Sequence, residues 1–299
     1  MLKFCYCIVD RSSVAYLDMA ALSVAFLRQT QPLCRVEIVT DTVTRDFAQA
    51  RKHMLLGMCD EWIAVDCSNW SVVQASRYLK VNLRQLVQGT YVFLDADVLP
   101  IAPWEPRLRP QTSLALATDV WSGGKVVTPP ERLLVEFGEL GWQVPPLYYN
   151  SGVMFMKDDD FTHKISQEWF ERWKVYLEKI ERAMDQPSLN STFVVTPEFE
   201  QHFERLPSRF NALITAVHDD LKNAAFLHFL SDEDKTVHLD MVARHSEGRL
   251  SSQEIEAFTR HPYPWKKPGR ISAHWHAREY SLALRYALLK ARARSARAH

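Results

Sequence analysis

The sequence predicts an α/β protein with a mainly parallel central sheet flanked by helices, and a helical extension at its C-terminal end. Three observations predict it. Short apolar runs alternate with longer segments of helical periodicity over the first hundred residues, the signature of strands joined by helical crossovers. Tyr91 to Leu94 is apolar at every position and ends in acid, as a strand covered on both faces would be. From Ser272 onward, basic residues are interspersed with Leu and Tyr, which reads as a helix.

The elements follow in order. Lys3 to Val9 reads as a strand and Val14 to Gln29 as an amphipathic helix. Arg35 to Thr40 is a second strand, followed by a helix near Phe47 to Leu56. Trp62 to Val65 is a short third strand. A helix then covers about Ser71 to Val87, with Val72, Leu79, Leu83 and Leu86 on one face. After Tyr91 to Leu94 come strands at Ser113 to Thr118 and Tyr149 to Met156. A long helix spans about Asp160 to Arg182, where Ile165, Trp169, Trp173 and Leu177 recur at helical spacing. Phe226 to Leu230 is a further strand, and His261 to Arg270 is a proline-containing loop. There is no internal repeat, so one domain over 1–270 with a basic tail over 271–299 is expected.

Composition narrows the function. Of 299 residues, 47% are hydrophobic, enough to build a core without disulfides. Lys plus Arg equal Asp plus Glu at 36 each, which argues against a protein held to nucleic acid by bulk phosphate contacts. Cys5, Cys7, Cys34, Cys59 and Cys67 form no C-x-x-C pair, so buried, reduced thiols are expected. The N-terminus lacks the basic region and apolar stretch of a secretion signal, and no run is long enough to span a bilayer. A cytoplasmic protein is expected, peripheral at the membrane at most. No G-x-G-x-x-G follows the first strand, and nine glycines in all leave little for phosphate-cradling loops.

The most informative run is Tyr91-Val92-Phe93-Leu94-Asp95-Ala96-Asp97. In open parallel sheets, ligands sit beyond the carboxyl ends of strands. Period-two alternation puts the Asp95 and Asp97 side chains on one side of the chain, where both can reach one cation. Magnesium and manganese favour such oxygen ligands and leave positions for phosphate oxygens. The same run fits a haloacid-dehalogenase-like phosphatase, with Asp95 as nucleophile and Asp97 as acid/base. That chemistry expects the strand near the chain start, whereas here about ninety residues precede it.

Three more stretches carry polar groups. Asn150-Ser151-Gly152-Val153 opens a strand, with an amide beside a glycine that permits close approach. Asp185-Gln186 with Leu189-Asn190 follows the long helix, with Asp185 placed to cap the next one. His228-Phe229 places an imidazole among apolar residues.

In this order, Leu94-Asp95-Ala96-Asp97-Val98, Asn150-Ser151-Gly152-Val153, Asp185-Gln186 with Leu189-Asn190, and His228-Phe229 resemble glycosyltransferase family eight, the glycogenin and bacterial galactosyltransferase group. The resemblance covers roughly residues 3 to 230. It implies the GT-A nucleotide-diphospho-sugar transferase fold. It also implies a retaining hexosyltransferase that uses Mn2+ or Mg2+ and a nucleotide sugar, UDP-hexose by default. Asp95, Asp97 and His228 would ligate the metal. Asp10, Tyr16, Arg77, Lys80, Ala96 and Lys235 would serve the donor nucleotide and its diphosphate, and Asn150, Asp185 and Gln186 would surround the transferred sugar. Asn211 matches a late family position. The family pattern after His228-Phe229 breaks down, since its glycine is absent and Lys235 comes one residue late. Lys266 or Lys267 could replace that lysine, and His274 or His276 could replace His228 as third ligand. Retention needs a carboxylate nucleophile, for which Asp185 is the candidate, or attack from the leaving-group face with Asp185 orienting the sugar. The acceptor would be a glycan, a lipid-linked glycan or a protein, and the basic C-terminal helix suits an anionic membrane surface. A catalytically silent nucleotide-sugar-binding protein is the non-enzymatic alternative.

Overall fold

The computed structural model describes residues 2–119, 129–214, 221, 223–229, 232–260, 280, 281, 283–285, 287 and 288, with backbone only over 232–236. Strands are β1 (Lys3–Ile8), β2 (Arg35–Asp41), β3 (Glu61–Val65), β4 (Tyr91–Leu94), β5 (Val98–Pro100), β6 (Leu114–Thr118), β7 (Tyr149–Met156), β8 (Phe203–Arg205), β9 (Ala212–Leu213) and β10 (Phe226–His228). Helices are α1 (Ala15–Thr30), α2 (Thr42–Ala50), α3 (Leu55–Met58), α4 (Val72–Val81), α5 (Leu83–Leu86), α6 (Glu131–Glu139), α7 (Asp160–Ile180), α8 (Gln186–Val195), α9 (Phe199–His202), α10 (Asp232–Ser246) and α11 (Ser252–Arg260).

The main sheet has seven strands in the order β3-β2-β1-β4-β7-β6-β8, and a second sheet runs β5-β10-β9. The first four strands are parallel, as expected, whereas β7 is antiparallel to both β4 and β6. Alternation in β4 shows why the strand reads as apolar throughout. Val92 and Leu94 join one core with Phe4, Tyr6, Leu17 and Val24, on the α1 side. Tyr91 and Phe93 join the other with Leu79, Trp169 and Trp173. Side chains this size contribute about 1.5–3 kcal/mol each when fully buried.

Local chemistry sets the helix ends. Asp41 accepts from Thr44 N at 2.8 Å and starts α2 earlier than apolar periodicity suggests. That helix stops at Ala50, ahead of Lys52 at φ 50°, so the expected helix to Leu56 is two shorter pieces. Ser71 and Gln74 form a reciprocal capping box at α4, and the expected helix to Val87 breaks at Asn82 into α4 and α5. Asp159 caps α7 through Thr162 N, and Glu181 ends it in the left-handed region.

Two consequences position the site. The carboxyl ends of β1 and β4 meet at one sheet edge, and the reversed β7 brings its first residues to that same edge, with Leu94 opposite Val153. The small sheet is tied there too: His228 pairs with Val98, and Phe229 N donates to Asp97 O at 3.1 Å. The five cysteines are free, with Cys5, Cys34 and Cys67 buried, and burial pushes the Cys59 thiol up to about 12. Among the described residues no helix is long and apolar enough to cross a membrane.

Candidate metal centre and donor cleft

Asp95 and Asp97 flank the tight turn between β4 and β5, and His228 ends β10. One ligand atom from each lies within 4.8 Å of the others, the one such group of His, Cys and acidic residues found among the described residues. His228 Nε2 is 3.3 Å from Asp97 Oδ1, yet this buried nitrogen makes no hydrogen bond. A buried, unpaired nitrogen beside two carboxylates is costly unless something electrophilic sits between them. Two carboxylates and an imidazole suit Mn2+ or Mg2+, so the residues present fit a divalent cation.

Gly152 makes room for the imidazole. A Cβ added there would lie 2.1 Å from His228 Cε1. Its carbonyl accepts from Asp95 N at 2.8 Å, and its N–H donates to Asn150 Oδ1 at 2.8 Å. Asn211 continues the chain, donating from Nδ2 to Asn150 Oδ1 at 2.8 Å and accepting from His228 Nδ1 at 2.7 Å.

A second charged cluster adjoins the first. Lys80, only 2% exposed, donates from Nζ to both oxygens of Asp95 at 2.9 and 3.1 Å. The same ammonium is 3.3 Å from Asp185 Oδ2, and Arg77 Nε is 3.1 Å from Asp185 Oδ1. Ser151 Oγ donates to Asp185 Oδ2 at 2.6 Å. Burial favours the neutral acid at Asp185, but Lys80 and Arg77 prevail and hold it well below the usual range. Asp185 thus begins α8 without capping it, because its side chain turns inward to these cations. Both Lys80 on α4 and Arg84 on α5 are buried, so these cations do not belong to a solvated helix face.

Gln186 donates from Nε2 to Asp119 Oδ2 at 2.5 Å and accepts from Ser151 N at 3.4 Å. Asp119, buried at the end of β6, joins this cluster and was not among the residues singled out from the sequence. Its signal was there: an acid closing the apolar run Leu114-Ala115-Leu116-Ala117, as Asp95 closes β4.

Beyond β1 lies a groove lined by Val9, Tyr16, Val72, Val73 and Arg77. Tyr16 is 54% exposed. Asp10 is buried below it, with Oδ1 accepting from Ser13 N and Oγ and Oδ2 from Tyr16 N. It therefore builds the turn that presents Tyr16. Ala96 lies between the two metal-site acids and is nearly buried. The Lys235 side chain lies outside the described residues, as do Lys266, Lys267, His274 and His276 and most of the segment expected as a basic tail.

No family model matches the sequence, and no curated protein does. Solved structures do match. One is a galactosyltransferase, LgtC, in complex with donor and acceptor sugar analogues: 19% identity, TM-score 0.52, covering 86% of this chain and 95% of that one. Another is the glycosyltransferase GlyE of Streptococcus pneumoniae TIGR4: 12% identity, TM-score 0.51, covering 86% of this chain and 63% of that one. The architecture held in common, and expected from the four sequence motifs, makes this chain a GT-A fold protein.

Proposed function

We propose that the protein is a metal-dependent retaining glycosyltransferase that moves a hexose from a nucleotide sugar, UDP-hexose, to a glycan, lipid-linked or protein acceptor. The observation that carries this reading is the convergence of Asp95, Asp97 and His228, with an unpaired Nε2, at the sheet edge where β1 and β4 end. That edge is where open α/β sheets bind nucleotides. The His228 imidazole facing Asp97 favours the transferase over a phosphatase, because a nitrogen beside two carboxylates completes a cation site, whereas an aspartyl acid/base has no use for it.

A bound divalent cation would neutralise charge developing on the leaving diphosphate. Asp95, Asp97 and His228 would hold it. Tyr16 would stack on the base in its groove, with Asp10 fixing the turn and Arg77 at the groove's inner wall. Asn150 has its oxygen committed to Gly152 and Asn211, which leaves its NH2 as a donor to the sugar. Gln186 and Asp119 form a linked pair beside it. Asp185 is engaged by Lys80, Arg77 and Ser151, and a carboxylate so paired is a poor nucleophile. This supports attack from the leaving-group face, with Asp185 orienting the sugar and the departing phosphate taking the acceptor's proton. Exposed Tyr280, Leu284 and Leu288, around buried Ala283, support a peripheral contact of the C-terminal helix with an anionic membrane surface.

The test is a thermal-shift panel of nucleotide sugars and free nucleotides with and without Mn2+. A ligand that binds the native state raises its apparent stability. A Mn2+-dependent upward shift with UDP-sugars is expected, and no shift with any nucleotide sugar would reject the reading.

A further inference from the structure

We propose that Asn211 is a positioning residue that holds His228 in the one neutral tautomer able to ligate a cation. The inference rests on the reading of Asp95, Asp97 and His228 as a metal centre, and it assigns the group that prepares the imidazole for that task. The argument begins at a backbone atom whose role is fixed. Gly152 N–H can only donate, so the Asn150 atom 2.8 Å from it is the carbonyl oxygen. That oxygen can only accept, so the Asn211 atom 2.8 Å from it is the amide nitrogen. The other end of the Asn211 amide is therefore its oxygen, and it lies 2.7 Å from His228 Nδ1. An oxygen at that distance requires the proton on Nδ1. In a neutral imidazole the lone pair is then on Nε2, the nitrogen that faces Asp97 without a hydrogen bond.

Each member of this relay is buried: Asn150 is 3% exposed, and Asn211 and His228 are 1% exposed. Water is thus excluded as a substitute partner for Nδ1. Gly152 contributes twice, since its N–H sets the amide orientation and its missing Cβ admits the ring. Ring position and ring tautomer come from different residues, Gly152 for the first and Asn211 for the second. Partners behind a metal-ligating histidine change metal affinity by roughly 10–100-fold when removed.

The experiment reads the tautomer without any metal. Nitrogen-15 NMR of the metal-free protein, with the His228 ring assigned through His228→Gln, distinguishes a protonated Nδ1 from a protonated Nε2. The wild type is expected to show Nδ1–H. In Asn211→Leu, which removes the acceptor, the ring should lose that signature, and Mn2+ affinity by titration calorimetry should fall roughly 10–100-fold. Asn211→Asp keeps an oxygen toward Nδ1 but gives up the donor to the Asn150 oxygen, so it should keep Nδ1–H with some loss of stability. A wild-type ring that carries no proton on Nδ1 would overturn the proposal, whether or not Asn211→Leu folds. So would an Asn211→Leu protein with unchanged ring signature and Mn2+ affinity. Absence of Mn2+ binding by the wild type would sink the metal centre instead, and the ring spectra would still judge the role of Asn211.

Discussion

Gly152 lies against the edge of the His228 ring so closely that a side-chain methyl there would sit 2.1 Å from Cε1 and 2.7 Å from Nδ1. Real Cβ atoms essentially never approach other atoms that closely, and the ring is itself held by Asn211. The glycine of the Asn150-Ser151-Gly152 run is thus there for the imidazole, and the two stretches are one feature in space.

Gly152→Ala should therefore displace His228. Overpacking of this kind costs typically about 1–3 kcal/mol, and the centre should lose its nitrogen ligand. Urea unfolding and Mn2+ calorimetry check the two effects, and an alanine variant as stable and as tight in Mn2+ binding as the wild type would contradict the packing described.

Asp97→Ala should abolish Mn2+-dependent hydrolysis of the donor sugar and weaken Mn2+ binding at least as much as loss of a supporting partner does, about 100-fold. The far-ultraviolet circular dichroism should be unchanged, because Asp97 is in a turn and partly exposed. Full metal-dependent activity in the variant would remove Asp97 from the centre.

Lys80 is the buried counter-ion of both Asp95 and Asp185. Lys80→Met leaves those carboxylates without it, and breaking a buried pair this way destabilises by about 3–5 kcal/mol. Adding Asp185→Asn should recover part of the loss. A double mutant cycle by urea denaturation measures the coupling, and strict additivity would mean the two groups do not interact.

Because Asp185 titrates below the usual carboxylate range when folded, its contribution to stability is complete above about pH 4, the unfolded value. It is lost as pH falls through the depressed folded value. The urea midpoint of the wild type should thus decline from about pH 4 downward, and Asp185→Asn should decline less steeply over that range. Parallel profiles for the two proteins would show that Asp185 is not held low.

Tyr16→Ala should weaken UDP binding by about tenfold, since stacking on a base is worth roughly 1–3 kcal/mol. Stability should be little changed, the ring being more than half exposed. Unaltered UDP affinity would place the base elsewhere.

Much of the architecture was legible because burial leaves a periodic imprint. Trp169 and Trp173 recur at helical spacing and are both fully buried, and β7 runs over the same residues that its pattern predicts. The reversal of β7 was not legible, because strand direction is set by long-range pairing and leaves no local trace. The start of α2 was obscured because it depends on a cap at Asp41 and not on apolar period. In the site, Asp95 stood out as an acid directly after a buried strand. Lys80 was named for the donor diphosphate by the resemblance alone, and its burial between two acids was not legible, because a lysine on a mixed helix face shows no partner until the fold places one beside it. The pairing of Asp119 with Gln186 and of Ser151 with Asp185 was hidden in the same way, because the partners are remote in sequence.

The two acids lie in the turn that joins the two sheets and the imidazole ends β10, so the chain must travel on from β5 to β10 before they can meet. A ribosome-bound chain that has emerged only as far as β7 has both acids, the glycine and the lysine, but no nitrogen ligand. Cation capture should therefore be among the late events of biosynthesis, and a chain truncated ahead of β10 should be metal-blind even where its larger sheet has formed.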